Sequence, residues 1–173
     1  MCDFGSVVFL SLVWRVGKRE RKDKNVFKIV RTEALTDAIY LMDVEAPRVA
    51  KNCLPGQFVI VRGSEDGERI PLTICDYSRE AGTITIVFQV VGAATEMMKN
   101  LKVGDSFTDF VGPLGRPSEL VEEDLETLKN KKILFVAGGV GTAPVYPQVK
   151  WLHEHGVAAD VIIGGRSKEL IIL

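Results

Sequence analysis

The stretch Leu134-Phe135-Val136-Ala137-Gly138-Gly139-Val140-Gly141-Thr142-Ala143-Pro144 decides the fold. An apolar run that breaks into glycines and continues into a hydroxyl residue and a proline reads as strand, tight turn and helix start. The glycines allow the backbone to approach a ligand closely. Thr142 is placed to cap the helix, and Pro144 fits a first turn whose amides lack partners. Those free amides and the helix dipole favour an anion, most simply a pyrophosphate. The turn departs from the G-x-G-x-x-G fingerprint, because Gly139-Val140-Gly141 is followed by Pro144 where that pattern has glycine. Taken alone, such a turn serves a plain strand-to-helix connection as well as a nucleotide site, so the flanking sequence must decide.

Downstream, a helix from Ala143 to His155, a stop at Gly156 and a strand from Ala159 to Ile163 complete a βαβ unit that begins at Lys132. A mononucleotide-binding half is built as βαβαβ, so a further strand and helix are expected beyond Leu173. The apolar end Leu170-Ile171-Ile172-Leu173 is expected to pack on those later elements.

Upstream, the pattern is of strands. Val26–Arg31, Ala38–Val44, Gln57–Arg62, Ile70–Cys75, Thr83–Val91 and Ser106–Val111 are short segments rich in β-branched and aromatic residues, separated by turn residues such as Pro55-Gly56 and Ala81-Gly82. Six such strands argue for an antiparallel barrel or sandwich. One helix, Ala94–Leu101, interrupts them, with Met97, Met98 and Leu101 spaced to face a core. Ser118–Asn130 is acidic and helix-prone, and reads as a solvated linker and lid. The fold class expected is β plus α/β, an antiparallel six-stranded β-barrel followed by a truncated Rossmann-like domain. The division is 1–24 as an extension that is disordered or lies upstream of the natural start, 25–117 as barrel, 118–131 as linker and 132–173 as an incomplete nucleotide-binding domain.

Composition narrows the partners. The 173 residues carry a net charge of −1 with 46% hydrophobic content, which fits a globular protein and gives no basic field for nucleic acid. Phe4–Trp14 is too short for a bilayer span, which takes about 20 residues. Its positive charges follow the apolar stretch, whereas a signal peptide has them before it. Cys2, Cys53 and Cys75 lie far apart without a C-x-x-C pair, so no metal site is expected and a reducing cytoplasm fits. His153 and His155 point to different faces of a helix and do not make a metal pair.

Four motifs in order then carry a resemblance: Glu68-Arg69-Ile70-Pro71-Leu72-Thr73-Ile74, Val91-Gly92-Ala93-Ala94-Thr95, Gly112-Pro113-Leu114-Gly115 and Gly138–Pro144. From Asn25 to Leu173 the chain resembles the ferredoxin–NADP reductase superfamily. Within it, it is most similar to the family of ferredoxin–NADP reductase subunit alpha, or sulfide dehydrogenase beta subunit, with the electron-transfer subunit of dihydroorotate dehydrogenase a near relative. The resemblance implies an FAD-binding barrel in which the Thr73 hydroxyl meets the flavin ring and acts in catalysis, Ile70, Pro71 and Leu72 line the flavin, and Arg69 holds the pyrophosphate. Here Arg69 stands four residues before Thr73 where relatives have R-x-x-S/T, and Leu72 replaces the usual aromatic.

Val91, Gly92, Ala94 and Thr95 would bring amides and a hydroxyl to the FAD phosphates; a strand-to-helix junction capped locally explains the same residues. Gly112 would belong to a loop closing the barrel near the nicotinamide, or to a domain boundary. Gly138, Gly139, Val140, Gly141 and Thr142 would bind the NAD(P) pyrophosphate. Arg166, with Lys168, would hold a ribose 2′-phosphate and favour NADP over NAD, unless both are solvated loop charges.

The function implied is a flavoprotein subunit that passes electrons between NAD(P)H, FAD and an iron–sulfur partner subunit or ferredoxin, as part of a hetero-oligomer. The resemblance implies a 2Fe-2S cluster held by a C-terminal cysteine segment in full-length relatives, and none is expected within these 173 residues. The alternatives are a dihydroorotate dehydrogenase electron-transfer subunit and, in another class, an FAD-binding module without turnover.

Overall fold

Along Thr83–Gln89 the side chains alternate between core and surface, and this strand lies at the centre of the barrel. Ile84, Ile86 and Phe88 are buried in the barrel core, while Thr85, Val87 and Gln89 face outward. The computed structural model describes residues 27–172. Its strands are β1 Ile29–Ala34, β2 Ile39–Glu45, β3 Phe58–Arg62, β4 Ile70–Ser78, β5 Thr83–Gln89 and β6 Asp109–Leu114. They form one antiparallel six-stranded sheet in the order β1-β2-β5-β4-β3-β6.

The sheet curls until its ends meet at one corner. Lys28 and Ser106 form an isolated bridge, Ile29 N–H donates to the Asp105 carbonyl at 2.8 Å, and Gly104 N–H donates to Ile29 at 2.9 Å. Beyond that corner β1 and β6 do not pair as strands, so the barrel is partly open. The sixth strand lies later than Ser106–Val111: residues 106–107 make the closing contacts, and the strand proper runs to Leu114 against β3.

Two helices seal the barrel. α2 (Ala93–Lys99) buries Met98 in the core. α1 (Pro47–Asn52), which has no counterpart in the sequence-based expectation, buries Val49 and Ala50. Proline at its start suits a helix, but Ala46 supplies no side-chain cap, so the usual start signal is missing.

The acidic stretch after the barrel folds into two short helices, α3 (Glu119–Glu122) and α4 (Leu125–Lys129). Ser118 accepts from Leu120 N–H and Asp124 from Thr127 N–H, each capping its helix. Next come β7 (Leu134–Gly138), α5 (Thr142–Glu154) and β8 (Asp160–Gly164), with β7 and β8 parallel. Leu128 of α4 is fully buried with Leu152 of α5 and Val157, so α4 packs into the same small core as α5. On the other side of this two-stranded sheet Leu134, Val136 and Ile162 are exposed.

The terminal apolar segment behaves differently from expectation. Ile172 is buried against Ile39, Leu41, Val87, Cys75 and Ala143, on the outer face of the barrel, while Ile171 is half exposed. The extension expected over 1–24, and Leu173, lie outside the described residues. Among the described residues no helix is long and apolar enough to cross a membrane, and no cluster of three or more His, Cys, Asp or Glu side chains could hold a metal.

Leu128→Ala should remove about 2–5 kcal/mol from the unit containing α5, because it opens a cavity where Leu152 and Val157 meet. Urea unfolding followed by tryptophan fluorescence, with Trp151 packed against that cluster, checks this.

Candidate functional site

The outer face of β4 and β5 meets the glycine turn of the second unit, and between them lies a cleft of about 510 Å³. Ile70, Pro71, Leu72 and Thr73 form one wall, Val87, Phe88 and Gln89 another, Val91 and Thr95 the rim, and Val140, Gly141, Ala143 and Pro144 the opposite side. The structure thus brings together three of the four motifs, widely separated in sequence. Val87, Phe88 and Gln89 are lining residues that no sequence motif marks. Strand alternation on β5 was their only signal, because it puts Val87 and Gln89 on the face opposite the barrel core.

Thr73 reaches the cleft because strand alternation turns it outward while Ile74 faces the core, and its backbone pairs with Phe58 of β3. It is half-buried. Leu72 both lines the cleft and packs against the barrel core, where an aromatic would fill more of the cleft.

At the rim, the Thr95 hydroxyl is committed to the backbone. It accepts from Val91 N–H at 3.0 Å and Gly92 N–H at 3.1 Å, and donates to the Gly92 carbonyl at 2.9 Å. The local capping explanation therefore accounts for the side chain, with Gly92 as N-cap and Ala94 in the first turn of α2. A Cβ added at Gly92, Gly139 or Gly141 would meet nothing within 4 Å. Gly139 needs glycine for its φ of +53°. Gly92 and Gly141 have neither positive φ nor a crowding neighbour, so no packing within the chain requires glycine at either position.

Other expected site residues have structural duties. A Cβ on Gly112 would lie 2.7 Å from Val59 Cγ1, and one on Gly138 would lie 3.0 Å from the Gly164 carbonyl, so both permit close strand packing. Gly112 does not line the cleft. Arg69, exposed at the start of β4, donates to Asp109 Oδ2 at 2.7 Å. Arg62 Nε lies 2.8 Å from the same oxygen but off the hydrogen-bonding direction, so that contact is an ion pair only.

Thr142 is not the helix cap. The turn Gly139–Gly141 is a 3₁₀ turn that runs directly into α5, Gly141 takes the N-cap position, and the Thr142 hydroxyl is buried without a partner. Arg166 is exposed in the loop after β8 and is not among the cleft-lining residues.

The lining suits a flavin ring in polarity and suits the charge of its phosphates only in part. The cleft is lined largely by apolar atoms, as a planar ring system requires, with the Thr73 hydroxyl as a polar handle and the open glycines leaving space for phosphates. Arg69, the cation expected for those phosphates, is held by Asp109.

A partly open antiparallel barrel whose outer face meets a glycine turn and helix is the architecture of the ferredoxin–NADP reductase class of flavoproteins. No family model matches the chain. A Clostridium beijerinckii protein described as an uncharacterized protein in the adh 3′ region is 60% identical over 147 residues, covering 85% of this chain and 50% of that protein. The dihydroorotate dehydrogenase B (NAD(+)) electron transfer subunit homolog of Thermotoga maritima is 40% identical over 146 residues, covering 84% and 49%. The solved NADH-dependent reduced ferredoxin–NADP oxidoreductase, described in connection with flavin-based electron bifurcation, matches with a TM-score of 0.77 at 37% identity, covering 88% and 52%. The homologues of this chain include electron transfer subunits of dihydroorotate dehydrogenase B, and its fold is that of the ferredoxin–NADP reductase-like flavoproteins. The chain spans about half the length of the curated relatives it matches.

Both described cysteines are buried. Burial, reinforced by the nearby Asp76 charge, pushes the Cys75 thiol up to about 12. Burial likewise pushes Cys53 up to about 11, against the opposing pull of Arg79. In a Cys2→Ser variant, neither thiol should react with a disulfide reagent at pH 8 while the protein is folded, and both should react in denaturant. Absorbance titration of released thiolate checks this.

Proposed function

We propose that this chain is the flavin-binding portion of an electron-transfer oxidoreductase, holding FAD in the cleft and exchanging electrons with NAD(P)H. The observation that carries the reading is the convergence of Ile70–Thr73, Val91–Thr95 and Val140–Pro144 on one apolar cleft beside unstrained, uncrowded glycines. In this reading Ile70, Pro71 and Leu72 support the ring and Thr73 donates to it or accepts from it. The backbone at Gly92 and Ala94 faces the FAD phosphates, and Arg69 leaves Asp109 for them. Gly139, Val140, Gly141 and Thr142 hold the pyrophosphate of the second nucleotide.

FAD, when bound, supplies a ring that takes up a hydride and releases single electrons. The protein's part is to align two rings and exclude water.

The finer assignments belong to the same proposal. Residues 25–117 form the flavin unit, 118–131 the connection and 132–173 the nucleotide unit. Arg166 favours NADP over NAD. The electron partner is an iron–sulfur subunit or ferredoxin within a hetero-oligomer, and cysteine usage places the protein in the cytoplasm. A 2Fe-2S cluster would reside in that assembly and not on the described residues. The Thermotoga maritima homologue favours a second reading, the electron-transfer subunit of a dihydroorotate dehydrogenase.

Purified protein should show flavin absorption, or acquire it on adding FAD, and release FAD on denaturation. Anaerobic NADPH should then bleach it. A colourless protein that takes up no FAD defeats the reading, and bound FAD that no pyridine nucleotide reduces leaves a binding module. Thr73→Ala should retain FAD and slow its reduction by about tenfold or more, measured by stopped-flow absorbance.

A further inference from the structure

Strand β4 breaks its alternation at Cys75-Asp76. Pairing with β5 passes from Ile74 opposite Ile86 to Asp76 opposite Thr85, so Cys75 is an extra residue and the strand bulges. Up to that point Ile70, Leu72 and Ile74 contact the barrel core, and Thr73 and Cys75 face outward. In a regular strand Asp76 would follow Ile74 into the core. The bulge sets it on the outer face instead, opposite Thr85.

There Asp76 meets α5. Lys150 Nζ donates to Asp76 Oδ1 at 2.7 Å and to Oδ2 at 3.0 Å, and Oδ1 also accepts from Tyr77 N–H at 2.7 Å. The carboxylate is therefore held by its own strand before it holds the lysine. At the other end of α5, beside the cleft, Ala143 packs with Cys75 and Val87. The helix thus has an apolar contact with the barrel at its start and an ionic one near its end. A groove of about 310 Å³, lined by Tyr77, Arg79, Trp151 and Glu154 among others, runs alongside the ion pair. Midway along the helix the Ser118 hydroxyl donates to Gln148 Oε1 at 2.8 Å, and Leu152 packs on Leu128 of α4, so Lys150 is the charged one of several ties that hold α5.

We infer that Lys150 is a positioning residue: its ion pair with the bulge-delivered Asp76 sets the angle of α5 on the barrel. Through that angle it sets the spacing between the Gly139–Gly141 turn and Thr73 across the cleft. The consequence for electron transfer rests on the cleft being the flavin and nucleotide site, whereas the consequence for geometry does not. Half-buried beside the groove, a single ion pair of this kind contributes modestly to stability. Orientation is another matter, because a displacement of about 1 Å between reacting groups lowers a rate by up to about 10²-fold.

The test uses the full chain with Lys150→Met, Lys150→Arg and the exchanged pair Asp76→Lys/Lys150→Asp. In Lys150→Met, hydrogen–deuterium exchange should rise about tenfold at Gly139–Pro144 and stay unchanged in β5, because only the docking of α5 is loosened. In the FAD-loaded protein, flavin reduction at saturating NADPH should fall about tenfold while FAD affinity stays within about twofold. Lys150→Arg and the exchanged pair should recover both.

Unchanged exchange in Lys150→Met overturns the proposal, as does loosening of every strand together with a fall in Tm. Failure of the exchanged pair to recover what Lys150→Met loses also overturns it. A wild-type chain that takes up no FAD defeats the flavin reading alone, and the exchange measurement still decides the role of Lys150.

Discussion

The arrangement depends on one seam, where the start of α5 packs on the outer face of the barrel. Ala143 lies against Cys75 and Val87, with Ile39, Leu41 and Ile172 completing the cluster. A larger residue at 143 would hold the helix off the sheet, and the cleft exists only because the glycine turn is brought this close to β4 and β5. Val87 is central, since it packs in the seam and also lines the cleft. The barrel core on one side of β5 and the seam on the other are thus two apolar layers sharing a strand, which is why β5 is buried on both faces over Ile86–Phe88.

Most of the barrel was legible because its signals are local. Ile84-Thr85-Ile86 alternates, Pro55-Gly56 and Ala81-Gly82 punctuate, and each strand could be read without its partners. The sixth strand was misplaced because Ser106 and Phe107 carry strand character but use it for the closing contacts. α1 escaped because Ala46 cannot cap. The bulge escaped for a subtler reason: in Ile74-Cys75 two apolar residues in succession fit a buried strand as well as an inserted residue, and only the pairing with Ile86 and Thr85 separates them.

The site shows the same division between local and distant information. Thr73, Gly141 and the Val91–Thr95 junction could be singled out because each motif is contiguous, and all of them line one cleft. The pairing of Arg69 with Asp109 joins residues 40 apart and has no sequence signature. Thr142 was expected to cap a helix, and the error is instructive. A hydroxyl after glycines is a capping signal when the chain enters the helix from an extended conformation. Here it enters from a 3₁₀ turn already coiled, so Thr142 is inside the helix and its oxygen is left buried without a bond.

The pair β7 and β8 has a bearing on how this protein behaves in a tube. Its outward side presents Leu134, Val136 and Ile162, exposed by 56%, 68% and 55%. Among the described residues each of these strands has only the other as a sheet neighbour. Flat apolar strands with free edges are templates for pairing between molecules. This face of the smaller unit is therefore a place where one molecule can pair with another. A charged residue in place of Val136 would oppose that pairing.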